Sequence, residues 1–300
     1  MSLLVMGTVA LDDIQTSHGM KRDLLGGSAS HFTMSASLFT DVHIAGVVGK
    51  DFPARHLRLL KSKSADISSL QIKDGKTFHW VGEYDARDWN SAVTRSTELG
   101  VLQGYEPRVT KEQSRMKDVF LANDDPDAQT QLLNQMTCPE FVGLDSMNLW
   151  IKIKKESLVR LIKRVDLFVA NDGEAKMLTG EGNLIRAAKA LRKLGPKYVV
   201  VKKGEHGVLF YSDETMFSFP AFPVEKVIDP TGAGDTFAGG LMGYLARTRK
   251  RTPAHFRKAC LYATVCSSFN VQGFGVAATS KLTMEDVRQR FAQFKTFIHS

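Results

Sequence analysis

The sequence predicts an α/β protein with a mostly parallel central sheet covered by helices and a smaller β-rich lid. Three observations carry this. Short apolar runs alternate with segments of helical period along most of the chain, the pattern of repeated βα units. The alternation breaks at about 13–25 and 70–105, where it gives way to stretches without helical periodicity. Late in the chain, Asp229-Pro230-Thr231-Gly232-Ala233-Gly234-Asp235-Thr236 forms a glycine-rich turn that opens a long helical pattern.

The elements follow in order. Residues 3–9 are a short apolar run closed by Gly7 and Thr8, an opening buried strand. Small and apolar residues make 29–39 a helix. The β-branched run 42–48, ending at Gly49, is a strand. Residues 53–62 are a helix carrying Leu57 and Leu60 among basic side chains. The aromatic and β-branched segment 76–84 reads as an antiparallel strand, and no helical period appears up to Leu102. The alternation then resumes with strand 118–122, helix 127–136, strand 140–144, helix 154–164, strand 166–170 and a helix from 173 to 179. Helix 184–194 has apolar residues at helical spacing. Strand 198–202 reads as fully buried, and 207–211 follows it. Two long helices, 231–247 and 253–269, precede a closing helix at 284–298.

Bulk properties narrow the function. At 300 residues, with 43% hydrophobic and 24% charged, the chain can bury a full core as one large domain, 1–300. The net charge is +8, yet Lys and Arg are scattered. The dense run Arg247-Thr248-Arg249-Lys250-Arg251 follows a helix, where cations suit the carbonyl end of the dipole. A helix end with a solvated loop is therefore expected, not a nucleic-acid partner. Cys138, Cys260 and Cys266 have no metal or redox spacing and read as buried thiols of a reducing cytoplasm. No run reaches membrane-spanning length, and the apolar run near the N-terminus is too short for a signal peptide, so a cytoplasmic protein without a membrane partner is expected.

The octapeptide is where the chemistry concentrates. Gly232 and Gly234 bring bare backbone close to a ligand. The first amides of a helix are unpaired, and its dipole favours negative charge there. Asp235 in that positive end either stabilises the first turn or faces a reactant. A phosphate held beside a carboxylate base is what phosphoryl transfer to a hydroxyl requires. The catalytic reading makes Asp235 the general base and takes Gly232, Ala233 and Gly234 as N–H donors to the developing charge. Competing motifs are missing. The segment 46–51 is not a Walker A loop, and no GxGxxG, HExxH or GxSxG occurs.

These eight residues resemble the signature of the PfkB, or ribokinase-like, family of small-molecule kinases, and the resemblance runs over nearly the whole chain. It implies a ribokinase-like three-layer α/β/α core. It also implies ATP and Mg2+, with K+ in some relatives, and a sugar or nucleoside acceptor. By resemblance, Asp12 binds acceptor hydroxyls, although a plain loop Asp fits locally too. Gly26 and Gly27 match the sugar-binding segment, with His31 where the family usually has Asn; a core histidine is the alternative. Asp124 matches an acidic residue that reaches the sugar, or is turn chemistry in Asn123-Asp124-Asp125-Pro126. Asn171 and Glu174 match a motif that orders magnesium-bound waters, and fit equally a helix capping box. Lys202, Gly204 and Gly207 border the nucleotide in this resemblance. Asp229 and Thr231 match positions that hold a monovalent cation in some relatives.

Three functions are weighed. The first is an ATP-dependent kinase acting on the hydroxymethyl group of a free sugar, ribokinase- or fructokinase-like. The second is a nucleoside kinase of adenosine or inosine type, which the Asn-Asp-Asp-Pro loop and the lid aromatics Phe78, Trp80, Tyr84 and Trp89 favour. The third, a non-catalytic sugar or nucleotide sensor, is at odds with the retention of Asp235 and its glycines. The resemblance also implies either a homodimer paired through the lid or a lid that stands alone.

Overall fold

The computed structural model describes residues 2–85 and 87–298. Strand β1 (Ser2–Met6) leads directly into the lid hairpin β2 (Ala10–Thr16) and β3 (Gly19–Gly26). The chain returns through α1 (Ser28–Ala36), β4 (Asp41–Gly49), α2 (Ala54–Lys63) and β5 (Asp66–Lys73). It re-enters the lid as β6 (His79–Asp85) and β7 (Asp88–Glu98). The βα units then run β8 (Asp118–Leu121), α3 (Pro126–Gln135), β9 (Phe141–Asp145), α4 (Asn148–Ile153), α5 (Lys155–Ile162), β10 (Leu167–Asn171), α6 (Asp172–Thr179) and α7 (Leu184–Lys193). Strands β11 (Tyr198–Lys202), β12 (Val208–Tyr211) and β13 (Met216–Phe219) precede α8 (Ala233–Thr248), α9 (Pro253–Asn270) and α10 (Met284–Ile298).

Among the described residues the main sheet has nine strands, ordered β13-β12-β11-β10-β9-β8-β1-β4-β5. Neighbours pair in parallel except β11 with β12 and β12 with β13, so β12 alone runs against the others. Because successive side chains of a strand face opposite ways, β1 divides its residues between two cores. Leu3 and Val5 join Phe32, Leu241 and Phe256 under α1, α8 and α9. Leu4 and Met6 join Leu132, Leu161 and Leu191 under α3, α5 and α7. Each fully buried Leu or Val contributes roughly 1.5–3 kcal/mol, which is why such strands read as unbroken apolar runs. The expected three-layer α/β/α core with a mostly parallel sheet is present.

The lid is a four-stranded sheet, β3-β2-β6-β7. Its strand β6 is antiparallel to β7, as expected, but parallel to β2. The lid range read from sequence begins too early: residues 66–73 pair with β4 as the edge of the main sheet. It also runs too long, since 100–102 form a 3-10 turn after β7. The opening strand ends at Met6, so 7–9 are free to turn into the lid. Helix α4 and strand β13 were not legible, both being short and without a clear period. Cys260 and Cys266 are buried, whereas Cys138 is exposed.

Candidate active site

The carboxyl ends of β1, β8, β9, β10 and β11 converge on one edge of the sheet, where ligands gather in open α/β folds. Helix α8 points its amino end at this edge. Its N-cap, Gly232, has φ 71°, a left-handed conformation that glycine adopts without the Cβ penalty. The Ala233 amide is already donated to the Pro230 carbonyl at 3.1 Å. The cradle expected from three amides therefore falls to Gly232 and Gly234, and Ala233 drops out as a donor. Asp235 lies in the first turn, partly buried. Burial raises its pKa, while the nearby Lys202 ammonium and His31 ring pull it back.

Asp12 lies within electrostatic reach of both Asp235 and Asp229. Asp12 on β2 is buried, and its carboxylate rests so closely on Gly26 that a Cβ there would overlap it. Burial, and then the charges of Asp229, Asp235 and Asp13, push Asp12 up to about 8. Asp229 is fully buried. One of its oxygens accepts from the Thr231 amide at 2.9 Å and the other from the Gly275 amide at 2.8 Å. Thr231 Oγ1 donates to the Tyr84 hydroxyl of the lid at 3.2 Å. The lid is thus tied to the loop that precedes α8.

A second group lies behind Asp235. Lys202, at the end of β11, brings its ammonium against the α-carbon of Gly234. Asp145, at the end of β9, is buried with Oδ1 unpartnered, and its pKa is raised well above the ordinary value by burial, with Lys202 opposing. Glu174 is pushed up to about 7 by burial, with Lys202 opposing and Asp235 adding. Glu174 and Asn171 form the capping box of α6, both bonds at 2.7 Å. The capping geometry and the site location thus hold together. Asp145, Glu174 and Asp235 repel one another around a single ammonium. Such an oxygen-rich, under-neutralised set suits Mg2+ held through water.

Beside this set opens a cavity of about 520 Å3. Lys202, Gly204, Gly207 and Gly234 line one part, and Val224, Val227 and Val271 give it an apolar wall. The lid reaches this cavity as well. Trp89 and Asn90 line it, with Asn90 packed on the α-carbon of Gly204. His18 stacks on Trp89 and hydrogen-bonds the Val227 carbonyl at 2.9 Å.

A family model described as pfkB family carbohydrate kinase matches residues 7–283. The chain belongs to the PfkB family. A cytidine kinase of Thermococcus kodakarensis is 34% identical over 256 residues, covering 83% of this chain and 90% of its own. A nucleoside kinase of Methanothermobacter thermautotrophicus is 27% identical over 320 residues, covering 97% and 96%. The structure of Burkholderia thailandensis nucleoside kinase in complex with inosine superimposes with a TM-score of 0.79 at 20% identity, covering 97% of each chain. The chain is a PfkB-type phosphotransferase of the sugar and nucleoside kinase kind.

Most of the residues picked out in the sequence of this PfkB kinase meet at this edge: Asp235, Gly232 and Gly234, Asp12 with Gly26 and Gly27, His31, Asp229, Thr231, Lys202, Asn171 and Glu174. Asp124 does not join them. It turns into a separate cavity of about 260 Å3 beside Tyr105 and Lys154. Burial pushes its pKa up to about 7, and one oxygen accepts from the Asp125 amide at 2.7 Å. The backbone carbonyl of its neighbour Asn123 accepts from Ser28 Oγ at 2.9 Å, while the Asn123 side chain accepts from Trp150 Nε1 at 3.1 Å. Asp145 is a residue of this edge that the sequence does not single out. For Asp145 the signal was a carboxylate one residue beyond the predicted strand end. The Asn270 side chain, at the end of α9, bonds the His31 ring and the Thr236 hydroxyl. The lid aromatics form no single stacking face: Trp80 covers Gly82, Tyr84 binds Thr231, and Trp89 lines the large cavity. Among the described residues no helix is long and apolar enough to cross a membrane.

Proposed function

We propose that this chain phosphorylates the 5′-hydroxymethyl group of a nucleoside, a pyrimidine nucleoside such as cytidine first among candidates, with ATP as donor. The observation that carries the chemistry is Asp235 at the amino end of α8, with the Lys202 ammonium on one side and Asp12 on the other. The nucleoside reading displaces the free-sugar reading because the cytidine kinase and nucleoside kinase relatives align over most of the chain.

The residues divide the work as follows. Asp12, when ionised, accepts hydrogen bonds from both hydroxyls of a vicinal diol and so fixes the ribose. That leaves the hydroxymethyl group directed at Asp235, which takes its proton as the oxygen attacks the terminal phosphorus. The Gly232 and Gly234 amides and the Lys202 ammonium stabilise charge on the transferring group. Asn171, Glu174 and Asp145 would hold Mg2+ through water. Bound there, the ion neutralises phosphate oxygens. Asp229 and Thr231 offer hard oxygens to a monovalent cation. Trp89, Tyr84 and His18 bring the lid over the site, which excludes water as a competing acceptor.

The test is ATP consumption with cytidine, uridine, inosine, adenosine, ribose and fructose, with products read by mass. Fastest turnover on a nucleoside supports the reading. Turnover on free sugars alone overturns the acceptor class. No turnover on any acceptor by wild type overturns the catalytic assignment.

A further inference from the structure

His31 occupies the first turn of α1, is 1% exposed, and lies against the back of the phosphate cradle. Its ring packs so tightly on Gly232 that a Cβ at that position would fall inside the imidazole. Its Nδ1 is 3.1 Å from Oδ1 of Asn270, the last residue of α9. Asn270 is itself fully buried and makes two more bonds: Thr236 Oγ1 donates to its Oδ1 at 3.0 Å, and its Nδ2 donates to the Thr231 carbonyl at 2.7 Å. A backbone carbonyl only accepts, so the amide orientation is fixed. Oδ1 faces the histidine, and Nδ1 of His31 must carry the proton.

We propose that His31 and Asn270 form a brace that holds Gly232 and the first turn of α8 in register for the transferred phosphate, making His31 a positioning residue and not a ligand of the acceptor. This rests on the kinase reading above. The brace reaches three segments at once: Thr231 just before the cradle, Gly232 within it and Thr236 just after it. It also joins the cradle to the acceptor side, because α1 starts at its N-cap Gly27, next to the Gly26 on which Asp12 rests. Volume filling alone does not account for the residue. The other ring nitrogen, Nε2, is buried without a hydrogen-bond partner in the protein, a cost that Leu or Met at this position would avoid. His31 also lies within electrostatic reach of both Asp229 and Asp235.

The experiment compares steady-state kinetics of wild type, His31→Ala, His31→Asn, Asn270→Ala and the double variant His31→Ala/Asn270→Ala, on the best acceptor from the panel above. A misplaced cradle removes stabilisation made only in the transition state, so kcat should fall about 30-fold or more in His31→Ala while the acceptor KM moves less than about threefold. The double variant should be no worse than His31→Ala, because the two residues act as one unit. His31→Asn, which can still donate to Asn270, should recover part of kcat. A rise in acceptor KM at unchanged kcat overturns the proposal in favour of a substrate ligand. Additive losses, or kcat within about threefold throughout, overturn it as well. Nitrogen NMR of the imidazole supplies a readout independent of turnover. Wild type should show the Nδ1-protonated tautomer, and Asn270→Ala should lose that bias; an Nε2-protonated ring in wild type overturns the brace. If wild type phosphorylates nothing, the kinase reading fails while the tautomer still reports on the brace.

Discussion

Replacing Asp235 by Asn separates catalysis from stability in a way that few substitutions do. The amide keeps the shape of the carboxyl but cannot take a proton from the acceptor. Loss of general-base assistance costs about 10²–10⁴ in kcat. At 1.36 kcal/mol per decade, that is about 3–5 kcal/mol of transition-state stabilisation. The same change should make the protein more stable at neutral pH. Asp235 sits among Asp12, Asp145 and Glu174, and burial raises its pKa in the folded protein. A raised carboxyl pKa means that the fold favours the protonated form. That favour is whole below the ordinary carboxylate range and is lost as pH rises through the folded-state pKa. Each pH unit of elevation corresponds to about 1.4 kcal/mol, and for a chain of this size 1 kcal/mol is worth about 2 °C in melting temperature. Asp235→Asn is therefore expected to melt above wild type at pH 8, with the gap closing near pH 4. The assays are ADP release with the preferred nucleoside and thermal melts across that pH range. Retention of more than about a tenth of wild-type kcat would refute the general-base role. A melting temperature at pH 8 equal to or below wild type would refute the picture of a repulsive carboxylate cluster.

Other outcomes follow from the same geometry. Asp12 is pushed up to about 8, so it gains the charge needed to grip a diol only as pH rises; kcat/KM for the acceptor should climb between pH 6 and 8.5, and Asp12→Asn should flatten that slope while raising acceptor KM. Removing the ammonium with Lys202→Met should raise the ATP KM about tenfold and move the apparent pKa of Glu174 and Asp145 further upward, measurable as a shifted pH–rate profile. Exchange of K+ for a bulky organic cation at constant ionic strength should slow turnover several-fold; unchanged rates would remove Asp229 and Thr231 from any cation role. The exposed Cys138 thiol, whose pKa is lowered by its bonds with Thr137 and Lys117, should alkylate first and without loss of activity. Cys260 and Cys266, buried and pushed up, should react only on unfolding, as mass mapping would show.

Much of this site was legible because its signals are local. Capping chemistry at Asn171 and Glu174 and the glycines before α8 are spaced by the geometry of one turn, so sequence distance stands in for spatial distance. Asp124 shows where that substitution fails. It lies three residues beyond β8, whereas Asp145 ends β9, and one side chain turns toward Tyr105 while the other turns toward Lys202. The local pattern that predicts a strand end does not say on which side the next residue leaves it. His31 is the subtler case. Its match to an acceptor-binding position was plain, but its partner Asn270 lies 239 residues away on a different helix.

By itself the sequence determined the alternation of strands and helices, the buried style of the parallel strands, the cradle at the start of α8 and the reaction class. Periodicity and backbone conformation are properties of neighbouring residues, and neighbours are what a sequence displays. Only the tertiary structure decided which carboxylates lie near one another, that the lid reaches both the loop before α8 and the large cavity, and that α1 and α9 pack behind the start of α8. Those arrangements depend on strand order and crossover packing, which bring together side chains more than a hundred residues apart.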